Sequence, residues 1–288
     1  GSCFSENIGE KLDYFKFKNS QNPFGILFHP KAIETLISNA VEGEKYTDED
    51  VFFHNEQWHC FDAHSKYSHA SKEALINQLN TQIELADSNL KMASHIVITL
   101  GTAWVYRDVK TNNIVANCHK VPQKQFKKEL LSVGEIEHSL KNILSLIRSV
   151  NYNASIIFTV SPIRHTKDGF IENTQSKAHL ITAIHQVISN QSFYFPSFEI
   201  MMDELRDYRF YKEDMIHPSQ TAINYIWNRF KSVWISDESL KIMDDVEAVQ
   251  KGLQHKPFNQ NSEAHQQFLL KIEASIKRIQ SQFPHMAF

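Results

Sequence analysis

Cysteine is scarce in this 288-residue chain, with Cys3, Cys60 and Cys118 the only three. Thiols so few and so widely spaced make no disulfide framework and match no zinc motif, so they are expected to be free. Free thiols favour a cytoplasmic setting, although the residues ahead of Gly1 would decide export. Long hydrophobic runs are missing as well. The best of them, "HIVITLG" at 95–101, is strand-sized and far below the roughly 18 apolar residues of a membrane span, so no membrane partner is expected. Nor does one sign of charge prevail: 30 Lys and Arg stand against 33 Asp and Glu, for a formal charge of -3. That balance offers no global basic field, and nucleic acid is not an expected partner. What the chain does have is 42 % hydrophobic residues, sufficient for a sizeable core, and fifteen histidines.

The chain opens without methionine, on "GSCFSENIG", which puts two nucleophile-capable side chains, Ser2 and Cys3, among the first three residues. A Gly-Ser pair in that place is a common cloning remnant. Only the rest of the chain can give it another meaning.

Ile8, Leu12 and Phe15 at helical spacing predict a helix over 5–15, close behind Cys3. "NPFGILFHP" (22–30) has the Asn-Pro and Gly punctuation of a loop and leads into a helical pattern in "KAIETLISNAV". Residues 46–70 are aromatic and histidine-rich with little periodicity, and read as an irregular, partly extended excursion. A helix over 71–92 then feeds a buried strand, Ile96 to Leu100, that ends at Gly101. The same grammar repeats with a helix at 133–149 and a strand at 154–162, then a helix at 175–189 and a strand at 192–197. Such alternation predicts a parallel sheet with both faces covered. A β-hairpin turning at Thr111–Asn113 is expected as an insertion after Gly101. Past His217 two or three amphipathic helical segments (219–234, 237–251, 262–282) follow without a strand, so an α/β domain over 1–235 and a helical extension over 236–288 are expected. A helix starting near residue 3 needs an apolar strand before it. The first strand of the sheet is therefore expected ahead of Gly1, with Gly1-Ser2-Cys3 as the strand-to-helix turn.

Ligands of open α/β sheets bind at the carboxyl ends of the strands. The residues in question are Gly1–Cys3, Gly101-Thr102 and Ser161–His165. "EDMIHPS" (213–219) adds an Asp-x-x-His pair, Asp214 and His217. Three residues of separation in a tight turn let a carboxylate accept the Nδ1 proton while Nε2 faces a cleft, which is the orienting half of a catalytic triad. His54, His59, His64 and His69 with Cys60 invite a metal reading, but their spacing fits no standard site, and neither a metal nor another cofactor is expected.

A nucleophile turn first and Asp-x-x-His last resembles the order of SGNH (GDSL-like) hydrolases. More closely, the chain resembles the GSCFA family through "GSCFSENIG", "NPFGILFHP", "WHCFDAHSKYS", "TLGTAWVY", "SPIRH" and "DELRDYRFYKEDMIHPSQTAINYIW", over about residues 1–235. The resemblance implies a three-layer α/β sandwich around a central parallel sheet, flavodoxin-like in type. It also implies an acyl-ester hydrolase working through an acyl-enzyme on a small-molecule or O-acylated carbohydrate ester. An O-acyltransferase, or a binding module that kept the cleft without the chemistry, are the other readings of the same pattern.

Carried across by position, the broader group's Gly-Asp-Ser register puts Cys3 in the attacking place, with Ser2 the alternative one residue earlier. His217 is the implied base and Asp214 its orienting acid. A cysteine at a helix N-terminus near a histidine is expected to have a lowered pKa. Gly25 is the implied backbone oxyanion donor, with a turn requirement as its other explanation. The group's Gly-x-Asn-Asp block is Gly101-Thr102-Ala103-Trp104 here, so its usual side-chain donor is absent and Thr102 or Asn22 would have to substitute. Arg164 and His165 are expected at the cleft rim, Arg164 as a clamp for a carboxylate or phosphate or as an internal ion pair. His64 is expected to line the cleft or to pack beneath the loop.

Overall fold

The computed structural model describes Gly1–Phe288 throughout. Its first half runs α1 (Cys3–Tyr14), α2 (Pro30–Glu42), β1 (Val51–His54), β2 (Gln57–Cys60), α3 (Lys72–Met92), β3 (His95–Leu100), β4 (Trp104–Asp108), β5 (Ile114–Val115) and β6 (Phe126–Leu130). Its second half runs α4 (Val133–Val150), β7 (Ser155–Val160), α5 (Phe170–Val187), β8 (Ser192–Phe195), the single turn α6 (Ser197–Glu199), α7 (Gln220–Trp234), α8 (Asp237–Gln254) and α9 (Glu263–Gln282). Two compact units result: residues 1–6 with 21–226, and residues 7–20 with 227–288.

In the first unit the buried apolar runs form a parallel sheet in the order β3-β7-β8. Ile156, Ile157, Phe158 and Val160 of β7 are wholly buried, so both faces of this central strand are covered. Helices α2 to α5 present apolar residues three and four apart, such as Leu75, Leu79 and Ile83 or Ile136, Leu140, Ile143 and Ile147, to one core shared with Ile98, Leu100 and Phe158. Each such side chain contributes about 1.5–3 kcal/mol by leaving water. Helix starts are set locally: Ser132 and Glu135 form a reciprocal capping box on α4, and Ser71 caps α3. At α2 the cap is His29, whose Nδ1 accepts the Ala32 N–H at 3.1 Å.

Two stretches hold more order than the sequence reading implies. The extended part of residues 46–70 is a hairpin, in which β1 and β2 pair from Val51↔Cys60 to His54↔Gln57. Its two loop residues, Asn55 and Glu56, both take positive φ (45° and 62°), the backbone of a type I′ turn. The insertion after Gly101 is a three-stranded antiparallel sheet, β5-β4-β6, rather than a hairpin alone. β4 and β5 turn over the expected residues, with Arg107 opposite Ile114, and β6 adds a full register from Trp104↔Leu130 to Asp108↔Phe126.

The second unit is helical. Helices α8 and α9 pack together and bury Met243, Val246 and Val249 with Ile272 and Ile279. Phe15 stacks on Trp227 at 6.0 Å, and Gln250 Nε2 donates to the Tyr14 carbonyl at 3.1 Å. No helix of the chain is long and apolar enough to cross a membrane.

Candidate functional site

Backbone hydrogen bonds gather the flagged segments of the first unit at the carboxyl ends of β3 and β7. The Ser2 N–H donates to Thr99 O at 3.0 Å and the Leu27 N–H to Gly1 O at 3.0 Å. Gly1 and Ser2 therefore lie extended between the end of β3 and the 22–28 loop. The same loop accepts at Phe28 O from the N–H groups of Gly101 (2.7 Å) and Thr102 (3.0 Å), while Ser161 N–H donates to Leu100 O at 2.8 Å. Arg164 N–H donates to Ile216 O at 3.2 Å and its Nη1 to Met215 O at 3.0 Å, tying the segment after β7 to the Asp-x-x-His turn.

Within that turn His217 Nδ1 donates to Asp214 Oδ2 at 2.7 Å. The other oxygen, Asp214 Oδ1, accepts from the N–H groups of Ile216 (2.8 Å) and His217 (2.9 Å). These donors hold the Asp214 carboxyl down at about 2, led by the two backbone N–H groups and then the imidazole. Met215 between them takes a positive φ of 56°. The turn is closed at its ends by Lys212 N–H on His217 O (2.7 Å) and Ser219 N–H on Phe210 O (2.7 Å).

Ser2 and Cys3 have different surroundings. Ser2 is wholly buried, and its Oγ has no hydrogen-bond partner. Cys3, the first residue of α1, is partly exposed. Its thiol is pushed up rather than down, by burial first and also by Glu6, and this corrects the expectation of a lowered pKa. The backbone N–H groups of Cys3 and Phe4 and the charge of Lys177 oppose that rise, as a helix N-terminus should.

Asn22 braces the start of α1. Its Oδ1 accepts from the Gly1 nitrogen at 2.8 Å and from Ser5 Oγ at 3.3 Å, and its Nδ2 reaches Glu6 Oε1 at 3.4 Å. Gly25 is not a free oxyanion donor: its N–H is bound to Asn22 O at 2.7 Å. The turn explains the residue instead, since φ is +77° and a Cβ there would lie 2.5 Å from that of His64. His64 thus packs against the loop, where burial leads the lowering of its pKa and Glu6 opposes it. Thr102 is also committed, with Oγ1 3.0 Å from Ser176 Oγ and accepting the Trp104 N–H at 3.0 Å, so it does not replace the missing donor. Arg164 has no carboxylate partner, and its guanidinium lies 5.6–5.9 Å from the rings of Phe170, Tyr208 and Tyr211. His165 is held at its N–H by Asn173 Oδ1 (2.8 Å). Its Nε2 is buried without a partner, and burial, then the charges of Lys177 and His217, press its pKa down to about 3.

One element of this region carries no flag in the sequence reading. The buried stripe of α5 is polar at its start, Asn173, Ser176 and Lys177, and apolar beyond, Leu180, Ala183, Ile184 and Val187. Lys177 Nζ donates to Gly101 O at 2.7 Å and to Ser161 O at 2.8 Å. The signal was present as polar residues at i, i+3 and i+4 on the face that should be apolar. No group of three or more His, Cys, Asp or Glu side chains is placed to hold a metal ion. His59 and His119, whose rings lie 4.7 Å apart, instead bond to protein oxygens: His59 to Ser68 Oγ (2.6 Å) and His54 O (2.9 Å), His119 to Cys60 O (2.7 Å).

A sequence model described as the GSCFA family matches residues 1–230, and one described as GSCFA domain protein, C-terminal domain, matches residues 246–288. The chain belongs to the GSCFA family. Neither a curated protein nor a solved structure matches it. In this GSCFA chain hydrogen bonds thus join Gly1-Ser2, the 22–28 loop, Gly101-Thr102, Ser161 and Arg164 at one end of the parallel sheet, with Asp214 and His217 paired and Cys3 at the start of α1.

Proposed function

We propose that this GSCFA protein is an acyl-ester hydrolase of SGNH type, with Cys3 as nucleophile, His217 as base and Asp214 as its orienting acid. The observation that carries the reading is the 2.7 Å His217–Asp214 hydrogen bond, on a turn tied through Arg164 to the carboxyl end of β7. The thiol held up by burial needs a base. His217 Nε2 takes the proton as Cys3 Sγ attacks the ester carbonyl carbon. The tetrahedral oxyanion faces the Cys3 and Phe4 N–H groups at the start of α1, and the alcohol leaves with the proton from His217. Water, activated by His217, then cleaves the thioester and frees Cys3. Cys3 is preferred to Ser2 because a substrate can reach a partly exposed thiol but not a wholly buried hydroxyl. The reading includes a strand ahead of Gly1 along the free edge of β3, supported by the Ser2–Thr99 hydrogen bond and the half-exposed Ile96 and Val97. An O-acylated carbohydrate is the proposed substrate class.

A specific observation favours a second reading, the non-catalytic binding module. The N–H groups of Gly25, Gly101 and Thr102 are all bound to carbonyls, and a missing oxyanion donor typically costs about 3 kcal/mol of transition-state stabilisation. Turnover of aryl acetates and of acetylated oligosaccharides separates the two. A hydrolase loses about 10²- to 10⁴-fold in rate on His217→Ala. Unchanged turnover in that variant, or no acyl-enzyme mass on the peptide bearing Cys3, returns the chain to the binding-module reading.

A further inference from the structure

Lys177 is the one buried lysine or arginine side chain of the protein, and it stands without a counter-charge. It is 1 % exposed and has no carboxylate partner. Two of its three ammonium protons go to main-chain carbonyls, those of Gly101 and Ser161, which close β3 and β7. The face of Phe198 also lies beside the ammonium, with the ring centre 5.4 Å from Nζ. A lysine in such a place loses hydration that two carbonyl dipoles replace only in part. Satisfying two carbonyls is a task that the NH2 group of a neutral glutamine or asparagine also performs, so a charged group there calls for a further reason.

The charges around it supply that reason. Lys177 Nζ is bound to Gly101 O and the Ser2 N–H to Thr99 O, two residues earlier on the same strand end, so the ammonium and the start of α1 share the carboxyl end of β3. There the charge of Lys177 draws the Cys3 thiol down and Cys3 draws Lys177 up, with no hydrogen bond between them. The other groups in the neighbourhood are Glu6, which acts on Cys3 from its own helix, and His165, which feels both Lys177 and His217. His165 is kept neutral by burial. Glu6 opposes a thiolate. Among these groups, Lys177 alone is a buried cation whose charge draws the thiol down.

We propose that Lys177 is a positioning residue that stabilises the Cys3 thiolate from behind the strand ends. When the Cys3 S–H bond gives its proton to a base, the negative charge on Sγ is attracted by the Lys177 ammonium, which it in turn keeps protonated, and no carbon or sulfur bond to lysine forms or breaks. In the low-dielectric interior this attraction is stronger than across water. Burial already holds Lys177 down at about 7, while Cys3 draws it back up, so the two groups titrate as a coupled pair. The inference rests on the reading of Cys3 as nucleophile, yet its test needs no ester.

The test is the rate of iodoacetamide alkylation of each cysteine in the full chain from pH 6 to 11, read by mass spectrometry for wild type, Lys177→Met and Lys177→Arg. Cys118, whose thiol burial pushes up to about 11, serves as the internal reference, and the buried Cys60 reports unfolding. Lys177→Met is expected to slow Cys3 alkylation at pH 7.5 about tenfold, the equivalent of one pKa unit, with Cys118 unchanged. Lys177→Arg should stay within about twofold of wild type, since the charge is kept. An unaltered Cys3 profile in folded Lys177→Met overturns the proposal, because a purely structural lysine would move the melting temperature and not the thiol. Should Lys177→Met expose Cys60, the wild-type profile decides: two coupled ionisations at Cys3 support the proposal and a single one overturns it. A wild-type Cys3 that stays unreactive at every pH counts instead against Cys3 as nucleophile.

Discussion

His217 Nδ1 and Asp214 Oδ2 lie 2.7 Å apart, with two backbone N–H groups on the remaining carboxylate oxygen. The carboxylate is thus saturated with donors before any substrate arrives, and the imidazole is left with Nε2 as its only free nitrogen. This fixes the tautomer that a base needs. Asp214→Asn keeps the shape of the turn but offers an amide where an acceptor is required. Ester turnover is expected to fall about 10²- to 10⁴-fold while the folded state is retained, because both side chains are exposed. Steady-state rates together with thermal melts check this, and a variant with full activity would remove Asp214 from the mechanism.

Ser2 and Cys3 separate cleanly by mutation because their environments differ. Ser2→Ala deletes a buried hydroxyl that has no partner, so stability should stay level or rise by up to about 1 kcal/mol, and turnover should not change. Cys3→Ser should lose about 10²-fold or more in rate, since a hydroxyl lacks the nucleophilicity of the sulfur. Denaturant midpoints and single-turnover acylation give both numbers. The inverse pattern, an inactive Ser2→Ala, would make the buried serine the nucleophile and imply that the turn opens.

Much of this arrangement was legible in the chain, and the omissions have physical causes. Apolar runs such as "IIFTV" read as strands because a central parallel strand is buried on both faces, and β7 is so buried. The Asp214–His217 pair was legible because three residues in one turn leave little freedom. The β1–β2 hairpin was not, because Asn55-Glu56 lacks the glycine that normally marks a positive-φ pair. β6 hid behind Lys127, Lys128 and Glu129, three charges in a row. Two of them have partners far away in sequence: Lys128 has Asp168 at 2.5 Å and the Trp104 ring at 4.7 Å, and Glu129 has Arg107 at 3.0 Å. The competition for N–H groups at Gly25, Gly101 and Thr102 depends on which carbonyl stands opposite, and a motif does not record that.

Gly25 and Gly43 make a controlled pair. Both have positive φ, 77° and 72°, but a Cβ on Gly43 meets nothing within 4 Å, whereas one on Gly25 lies 2.5 Å from His64 Cβ. Alanine at Gly43 is therefore expected to cost about 1 kcal/mol, the price of left-handed backbone alone. At Gly25 the clash with a neighbouring Cβ adds to it, for a loss of about 3 kcal/mol in all. Urea midpoints at constant slope measure the difference. Equal losses would show that the 22–28 loop relaxes freely and does not hold Gly1 and Ser2 in place.

Acid should destabilise the first unit through His29. Its Nδ1 must accept the Ala32 N–H (3.1 Å) while Nε2 donates to Val115 O (3.1 Å), so only the neutral ring fits. Burial presses its pKa down to about 4 from the ordinary 6.5, against the pull of the Val115 carbonyl. Between those two values the unfolded chain binds the proton and the folded chain does not. Stability is therefore complete above about pH 6.5 and falls as the pH drops toward 4. His29 alone accounts for a loss on the order of 2 kcal/mol by pH 5. His119, at about 4, and His165, at about 3, are lowered by burial in the same way and add to the trend. His29→Asn keeps a capping oxygen for Ala32 and has no proton to gain, so its urea midpoint should change less than that of wild type between pH 7.5 and pH 5. If both lose stability with the same slope, protonation of His29 is not what acid exploits, and the ring nitrogen must find another acceptor when charged.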